Sequence, residues 1–580
     1  MLKTVAVLVL LIQAVQAGAQ TCGGPRTAIS AVQGPGDTTP LSGQTVTVEG
    51  IITLDLRQPG GFKGFYLQQA GPEQDDDPST SEAVFVHTRA EDGRPGDRVQ
   101  LRGKAGEYYG LTSLSQVKAI TVCDSPGLPL PVAFHPGQTP ADIREPLEGM
   151  LVHVEQPLTV TDTWNLARYG ELALAPEVQW VPTQLEKPAP GLARRLDAQE
   201  QVRLLLDDGH RRQNPRPIPW PAGNLAPDNT VRVGDQAGPL TGILDYRFGH
   251  WRLQPLEPPD FHSTEPRSPA PGRHDNANLR VASLNLGNLF NGNGQGGGFP
   301  SPRGARTHGA YQQQLARLTA QITAMDPDIL AVSELENDGY GAQSAIAHLS
   351  RQLGTHWHFV KGSTDSYSDE IRNGILYRSD RVRPVDAPQL LNRGAFRQWH
   401  RPALVQRFRR AEGSESLTIV AVHLKSKSCR NAPQSQLDTG DGQACYAGAR
   451  ADAARELARW TSGLGADRAG VLVVGDLNAY AMEDPLRILT AAGYQDLIRE
   501  FHGVRTPTFR FHGRLGTLDY HLANDSARQQ VVASHVWAVN AEEPRIWAYN
   551  APGGLDLPPE HVWRASDHNP VITDLRLDTR

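Results

Sequence analysis

The pattern of hydrophobic and polar positions divides the chain in two. Up to about residue 262, apolar residues come in short runs separated by Gly, Pro and Asp. The first five runs are 45–53, 64–69, 83–87, 98–103 and 115–122. Runs of this length between turn-forming residues predict strands, and five of them in a hundred residues predict a small barrel of the oligonucleotide/oligosaccharide-binding (OB) kind over 21–125. A Pro-rich connection leads to further runs at 149–154, 158–163, 202–206 and 240–246, which predict a second all-β domain over 138–262. The Pro- and Ser-rich segment 263–278 reads as a linker.

From 279 the pattern changes. Residues 311–325 place Leu315, Leu318, Ile322 and Met325 on one face of a helix, and a second helix is predicted over 447–460. Around and between them run apolar segments at 281–286, 329–332, 374–377, 417–423 and 471–474, the last with four consecutive apolar residues, as in a strand buried on both faces. Mixed helix and strand over 279–580 predicts an α/β sandwich.

The N-terminus carries Lys3, an apolar run from Val5 to Ile12 and small residues at Ala17 and Ala19. That run is too short to span a bilayer and fits an export signal covering 1–19. The mature protein is then expected to be secreted or periplasmic. The four cysteines, Cys22, Cys123, Cys429 and Cys445, suit an oxidising compartment. Sequence proximity pairs Cys22 with Cys123 and Cys429 with Cys445, out of three possible connectivities. A formal charge of −6 argues against a protein that merely coats nucleic acid, and the acidic excess lies in the front half.

Chemistry gathers where the rear strands end. Asn285 follows one in ASLNLGNLF, Glu334 another in DILAVSELEND, and His423 a third in LTIVAVHLKSKSC. Asp476 and Asn478 close GVLVVGDLNAY; if the chain stays extended there, both side chains point to one side. The alternative is a turn in which Asp and Asn bond their own backbone. Asp519 in GTLDYHLAND and Ser566, Asp567 and His568 in ASDHNPVI complete the set. Acids and amides suit hard divalent cations, and histidines move protons near neutral pH. Arg401, Lys425 and Arg450 lie beside these motifs as candidate phosphate contacts. In the front half Tyr108 and Tyr109 are a candidate stacking pair, with a turn as the plainer reading. The Gly-rich stretch 291–298 lacks the Gly-Lys-Ser/Thr of a P-loop and reads as a loop beside the site.

The motifs LNLGN, SELEN, HLKSKS, GDLNAY, LDY and SDHNP, in this order, resemble those of the endonuclease/exonuclease/phosphatase family typified by pancreatic deoxyribonuclease. With the β-rich front half, the chain resembles bacterial extracellular nucleases of that family. The resemblance implies a four-layer α/β sandwich that hydrolyses phosphodiesters with Mg²⁺, or with Mn²⁺ or Ca²⁺. It implies Glu334 as principal metal ligand with Asn285 and Asp567 beside it, and Asp476 and Asn478 on metal or scissile phosphate. His568 would be the general base oriented by Asp519, and His423 would protonate or stabilise the leaving oxygen. Two departures stand out: Tyr520 follows Asp519 where relatives often carry His or Arg, and Asp369 or Glu370 is the nearest candidate to orient His423. The expected substrate is extracellular DNA, with RNA as a second. The rival readings are a phosphatase or phosphodiesterase for lipid or sugar phosphates, and a non-catalytic adhesion protein.

Overall fold

The computed structural model describes residues 22–577 except 70, 72–73, 76, 293–297, 364–367, 465–469, 552–557 and 559–560. The expected export signal and the middle of the Gly-rich stretch lie outside the described residues. The first domain is a closed barrel with the strands Thr45–Asp55, Gly64–Gln68, Ala83–His87, Leu111–Asp124 and Arg98–Tyr108 in that spatial order. The last two strands are longer than the apolar runs suggest, because pairing continues through the partly exposed residues 104–108 to a tight turn. Tyr108 and Tyr109 sit at its tip, edge to face at 4.9 Å. The Cys22–Cys123 and Cys429–Cys445 disulfides are both formed.

The second domain holds a nine-stranded sheet drawn from residues 132–262, together with the helix Ala193–Gln201, which the sequence reading did not anticipate. That helix buries none of its residues, so no apolar stripe marks it.

The rear half contains two six-stranded sheets face to face, with helices on both outer sides. The strand Gly470–Asp476 shows how sequence produces this. Val471 and Val473 pack outward among Ala453, Leu457, Leu486 and Leu489 of the covering helices, while Leu472 and Val474 pack inward among Val281, Ile329 and Ala331 of the facing sheet. Successive side chains point to opposite faces of a strand, so an unbroken apolar run is what a strand between two cores requires. On the other outer side the helix His308–Met325 begins at Thr307, whose side chain accepts from the Ala310 N–H. It lays Leu315, Leu318, Ile322 and Met325 onto Ala282, Leu284 and Leu330.

The linker segment is anchored along its length. Arg267 pairs with Glu543 at 2.6 Å, the Trp537 indole N–H donates to the Ser268 carbonyl at 2.9 Å, and Arg273 pairs with Asp328 at 2.8 Å. A Pro- and Ser-rich composition lacks apolar periodicity, but here its arginines and carbonyls find fixed partners. The second and third domains are joined elsewhere as well. Gln179–Trp180 pairs in parallel with Arg514–Gly516, forming a three-stranded sheet with Phe509–Phe511. Trp547 of the rear half is buried in the core of the second domain, and Arg232 meets Glu543 at 2.8 Å.

Candidate active site

The strand ends converge on one cleft of about 750 Å³, lined by Glu334, His423, Asp476, Asn478, Asp567 and His568 among others. Strand register does much of the positioning. His423 lies opposite Asp476 in the parallel pair, and Asp476 lies opposite Asp519 in the antiparallel pair, so three adjacent strands deliver three functional groups side by side. The close approach of the strands depends on Gly475, at φ 123°, where a Cβ would stand 2.3 Å from the Val422 carbonyl oxygen.

Two site residues occupy the left-handed region, Glu334 at φ 56° and Asn478 at φ 48°. For residues with a Cβ this costs about 1–3 kcal/mol, and such strain concentrates at functional sites. Register shifts between Val332 and Leu335 in the antiparallel pairing with Ile371–Arg378, and between Asn285 and Leu289 in the parallel pairing of Leu279–Leu289 with Ile329–Glu336, so both Glu334 and Asn285 leave the regular alternation where they enter the site. Asn478 corrects the expectation of an extended chain. Its N–H donates to Asp476 Oδ1 at 2.8 Å, as in a turn, and its Nδ2 donates to the Leu424 carbonyl at 3.1 Å. The turn and the site are therefore the same feature: Asp476 spends Oδ1 on the turn, and Oδ2 accepts from Asn285 Nδ2 at 3.3 Å.

Buried behind the cleft, Asp519 accepts from His568 Nδ1 at 2.7 Å. Burial opposes a charge on His568, but Asp519, Asp476 and Asp567 outweigh it and hold its pKa well above the ordinary value. His423 is shifted the other way: burial, then Arg401 and His568, depress it well below the ordinary value. Its Nε2 is 3.6 Å from Asp476 Oδ2, and its buried Nδ1 has no hydrogen-bond partner among the described residues. Neither expected partner reaches it. Asp369 is engaged by Arg401 at 2.8 Å and Arg303 at 3.4 Å, and Glu370 lies 3.7 Å from Arg303.

The carboxylates are short of positive charge. Burial and then Asp567 raise the pKa of Glu334, and burial and then Asp519 raise Asp476 to about 7. Asp476, Asp519 and His568 also present ligand atoms within 4.8 Å of one another. Buried acids that depress one another's ionisation form a donor set a hard divalent cation would neutralise, so these residues fit a metal.

The three cations expected to hold phosphates differ. Arg401 lines the cleft. Lys425 has its ammonium 4.9 Å from the centre of the Tyr446 ring. Arg450 is fully buried and donates to the carbonyls of Cys445 and Gln443 at 2.8 and 2.6 Å, so it shapes the disulfide loop and cannot meet a phosphate. Tyr520 is also buried, its hydroxyl 2.7 Å from the Thr517 carbonyl. The sequence reading missed Arg303 at the cleft edge and Phe509, whose ring packs on His568 at 4.5 Å. It also missed that Val181, Pro182, Leu192 and Leu196 of the second domain form one wall. Alternating FRF before the His-Gly turn and RLG after it is the signal that marked the Phe509 hairpin.

An α/β sandwich whose strand ends gather carboxylates, amides and two histidines in a cleft is the framework of a metal-dependent phosphoester hydrolase. Residues 282–568 match the Endonuclease/Exonuclease/phosphatase family, and the chain belongs to that family through this part. Members of the family act as nucleases or phosphatases. Residues 130–264 match a domain of unknown function. No curated protein matches the chain. Similar solved structures include the human Nocturnin catalytic domain with bound sulfate, at 17% identity over 51% of this chain and 93% of that one, TM-score 0.33. An endonuclease/exonuclease/phosphatase family protein from Bacteroides thetaiotaomicron gives 17%, 51%, 97% and 0.36. A mannosyl-6-phosphatase from the same organism gives 15%, 51%, 99% and 0.34.

Proposed function

We propose that this protein is an exported, metal-dependent nuclease that hydrolyses phosphodiester bonds of DNA, and of RNA as a second substrate. The observation that carries the reading is the cleft itself, which sets the His568–Asp519 pair beside an undercompensated group of acids and amides. Glu334, Asn285 and Asp567 would hold Mg²⁺ or Mn²⁺, with Asp476 and Asn478 at the scissile phosphate. The bound cation supplies charge neutralisation at the phosphoryl oxygens. Asp519 fixes Nδ1 of His568 as a donor; with Asp476 and Asp567, two of the acids that raise the pKa of this imidazole, offset by a cation, Nε2 would be free to take the proton of the attacking water. His423, on the neighbouring strand, faces the departing oxygen, and Arg401 binds a backbone phosphate. Export is supported by the two disulfides and the N-terminal apolar run. No helix among the described residues is long and apolar enough to cross a membrane. The first domain is read as OB-like on its closed five-stranded barrel.

The test is hydrolysis of plasmid DNA, RNA, a phospholipid and a sugar phosphate with Mg²⁺ or Mn²⁺. DNA cleavage should vanish with chelator and fall by about 10²–10⁴-fold in His568→Ala. Turnover of the lipid or sugar phosphate alone, or DNA cleavage indifferent to both treatments, refutes the reading.

A further inference from the structure

A second cavity, of about 490 Å³, opens between the second domain and the catalytic half. Its walls include Trp164 and Asn165 from the second domain, and Phe509, Phe511 and Asp567 from the rear half. Phe509, Phe511 and Asp567 also line the catalytic cleft, so the two spaces share one wall at the Phe509 ring that packs on His568. The volume falls in the range of roughly 300–1,000 Å³ typical of ligand sites.

The cavity is better suited to a ring than to a phosphate. Its cations are already paired: Arg510 with Asp162, Arg203 with Glu200 at 2.8 Å, and Arg564 with the Asn540 carbonyl at 2.7 Å. Its aromatic surfaces are open. Phe511 is 56% exposed, and Trp164 is equally exposed although the Arg545 guanidinium stacks 3.7 Å from its ring centre. Aromatic rings exposed in a concave wall offer faces on which a planar ligand can stack. Asn165 offers the only uncharged side-chain amide of the wall, with Nδ2 donating to Glu171 at 2.8 Å and its carbonyl oxygen left to accept.

We propose that this interdomain cavity takes one unpaired nucleobase of a polynucleotide, stacked on Phe511 and Trp164, while the adjoining phosphate lies at His568. The inference rests on the nuclease reading and deepens it, because it makes the second domain part of substrate recognition. A base paired within a duplex cannot enter, so the enzyme selects single strands, ends or locally opened duplex. Stacking on an aromatic side chain tolerates any base, so the subsite imposes no sequence preference.

The experiment compares the full-length protein with Phe511→Ala, Trp164→Ala and the double variant on a single-stranded oligonucleotide. A parallel series carries one abasic residue moved a nucleotide at a time past the cleavage position. Each variant should raise KM roughly tenfold with kcat unchanged. At one abasic position the variants should make no further difference, because the group they contact is already gone. Unchanged KM in both variants, a fall in kcat with KM constant, or equal losses at every abasic position overturns the subsite. Wild-type protein that leaves every oligonucleotide intact while hydrolysing another phosphoester overturns the nuclease reading instead, and the subsite with it.

Discussion

The pKa values of two histidines in this molecule are pushed in opposite directions by their surroundings. The carboxylate of Asp519 raises the pKa of His568, whereas His521, two residues beyond Asp519 on its strand, is buried between the Thr573 and Ser283 hydroxyls, and burial lowers its pKa to about 3. The unfolded chain would titrate His521 at 6.5, so between 6.5 and 3 the unfolded state binds more protons and stability rises with pH. Acidification from pH 6.5 to 5 should therefore remove up to about 2 kcal/mol through this residue. His521→Asn is expected to flatten that part of a plot of unfolding free energy against pH; an unaltered slope would show that His521 does not cause it. Single residues were also where sequence reading went furthest. Glu334, His423, Asp476, Asn478, Asp567 and His568 all reach the cleft from strand ends that the apolar runs revealed. Arg450 was misread because its position beside a motif says nothing about burial, and Phe509 was overlooked because an apolar ring reads as core until its neighbour is known.

At the scale of elements, positioning depends on connections as much as on strands. The loop after His423 is closed by Cys429–Cys445 over 16 residues and lined by the buried Arg450. Closing a loop of this length contributes about 3 kcal/mol in the chain-entropy account. Cys429→Ser with Cys445→Ser should lose stability of that order, read from the denaturant midpoint, and should lower kcat if the loop holds His423 in place. Full stability and activity in the double variant would leave the bridge without either role. Strand identities and their approximate ends were legible, because two-sided burial imposes unbroken apolar runs. Register was not, since pairing such as His423 with Asp476 depends on contacts far apart in sequence.

For the whole molecule, the second domain is structurally part of the catalytic unit. Gln184 is buried at the junction. Its Oε1 accepts from the Thr517 N–H at 3.0 Å, and its Nε2 donates to the Val504 carbonyl at 2.6 Å and the Thr517 hydroxyl at 3.0 Å. Thr517 precedes Asp519 by two residues. Nearby, the Thr183 hydroxyl donates at 2.7 Å to Glu483, whose other oxygen faces the Lys427 ammonium at 2.6 Å. Gln184→Leu leaves the Thr517 N–H and the Val504 carbonyl unmatched, a loss of roughly 1–3 kcal/mol each. It should lower kcat through Asp519 and His568 with little change in KM; normal turnover in a folded variant would refute this coupling. None of it was visible in a sequence that reads 263–278 as a linker, because the anchoring arginines and Gln184 belong to no periodic pattern.

The strand Gln179–Trp180 is only two residues long, yet it completes a sheet whose other two strands carry Phe509 and flank Asp519. This makes the pair of domains a single heritable cassette. A catalytic half without Thr517 and Glu543, grafted behind this front half, would leave Gln184 and Arg232 without these partners. Recombination that preserves function should cut before residue 130 and not within 263–278.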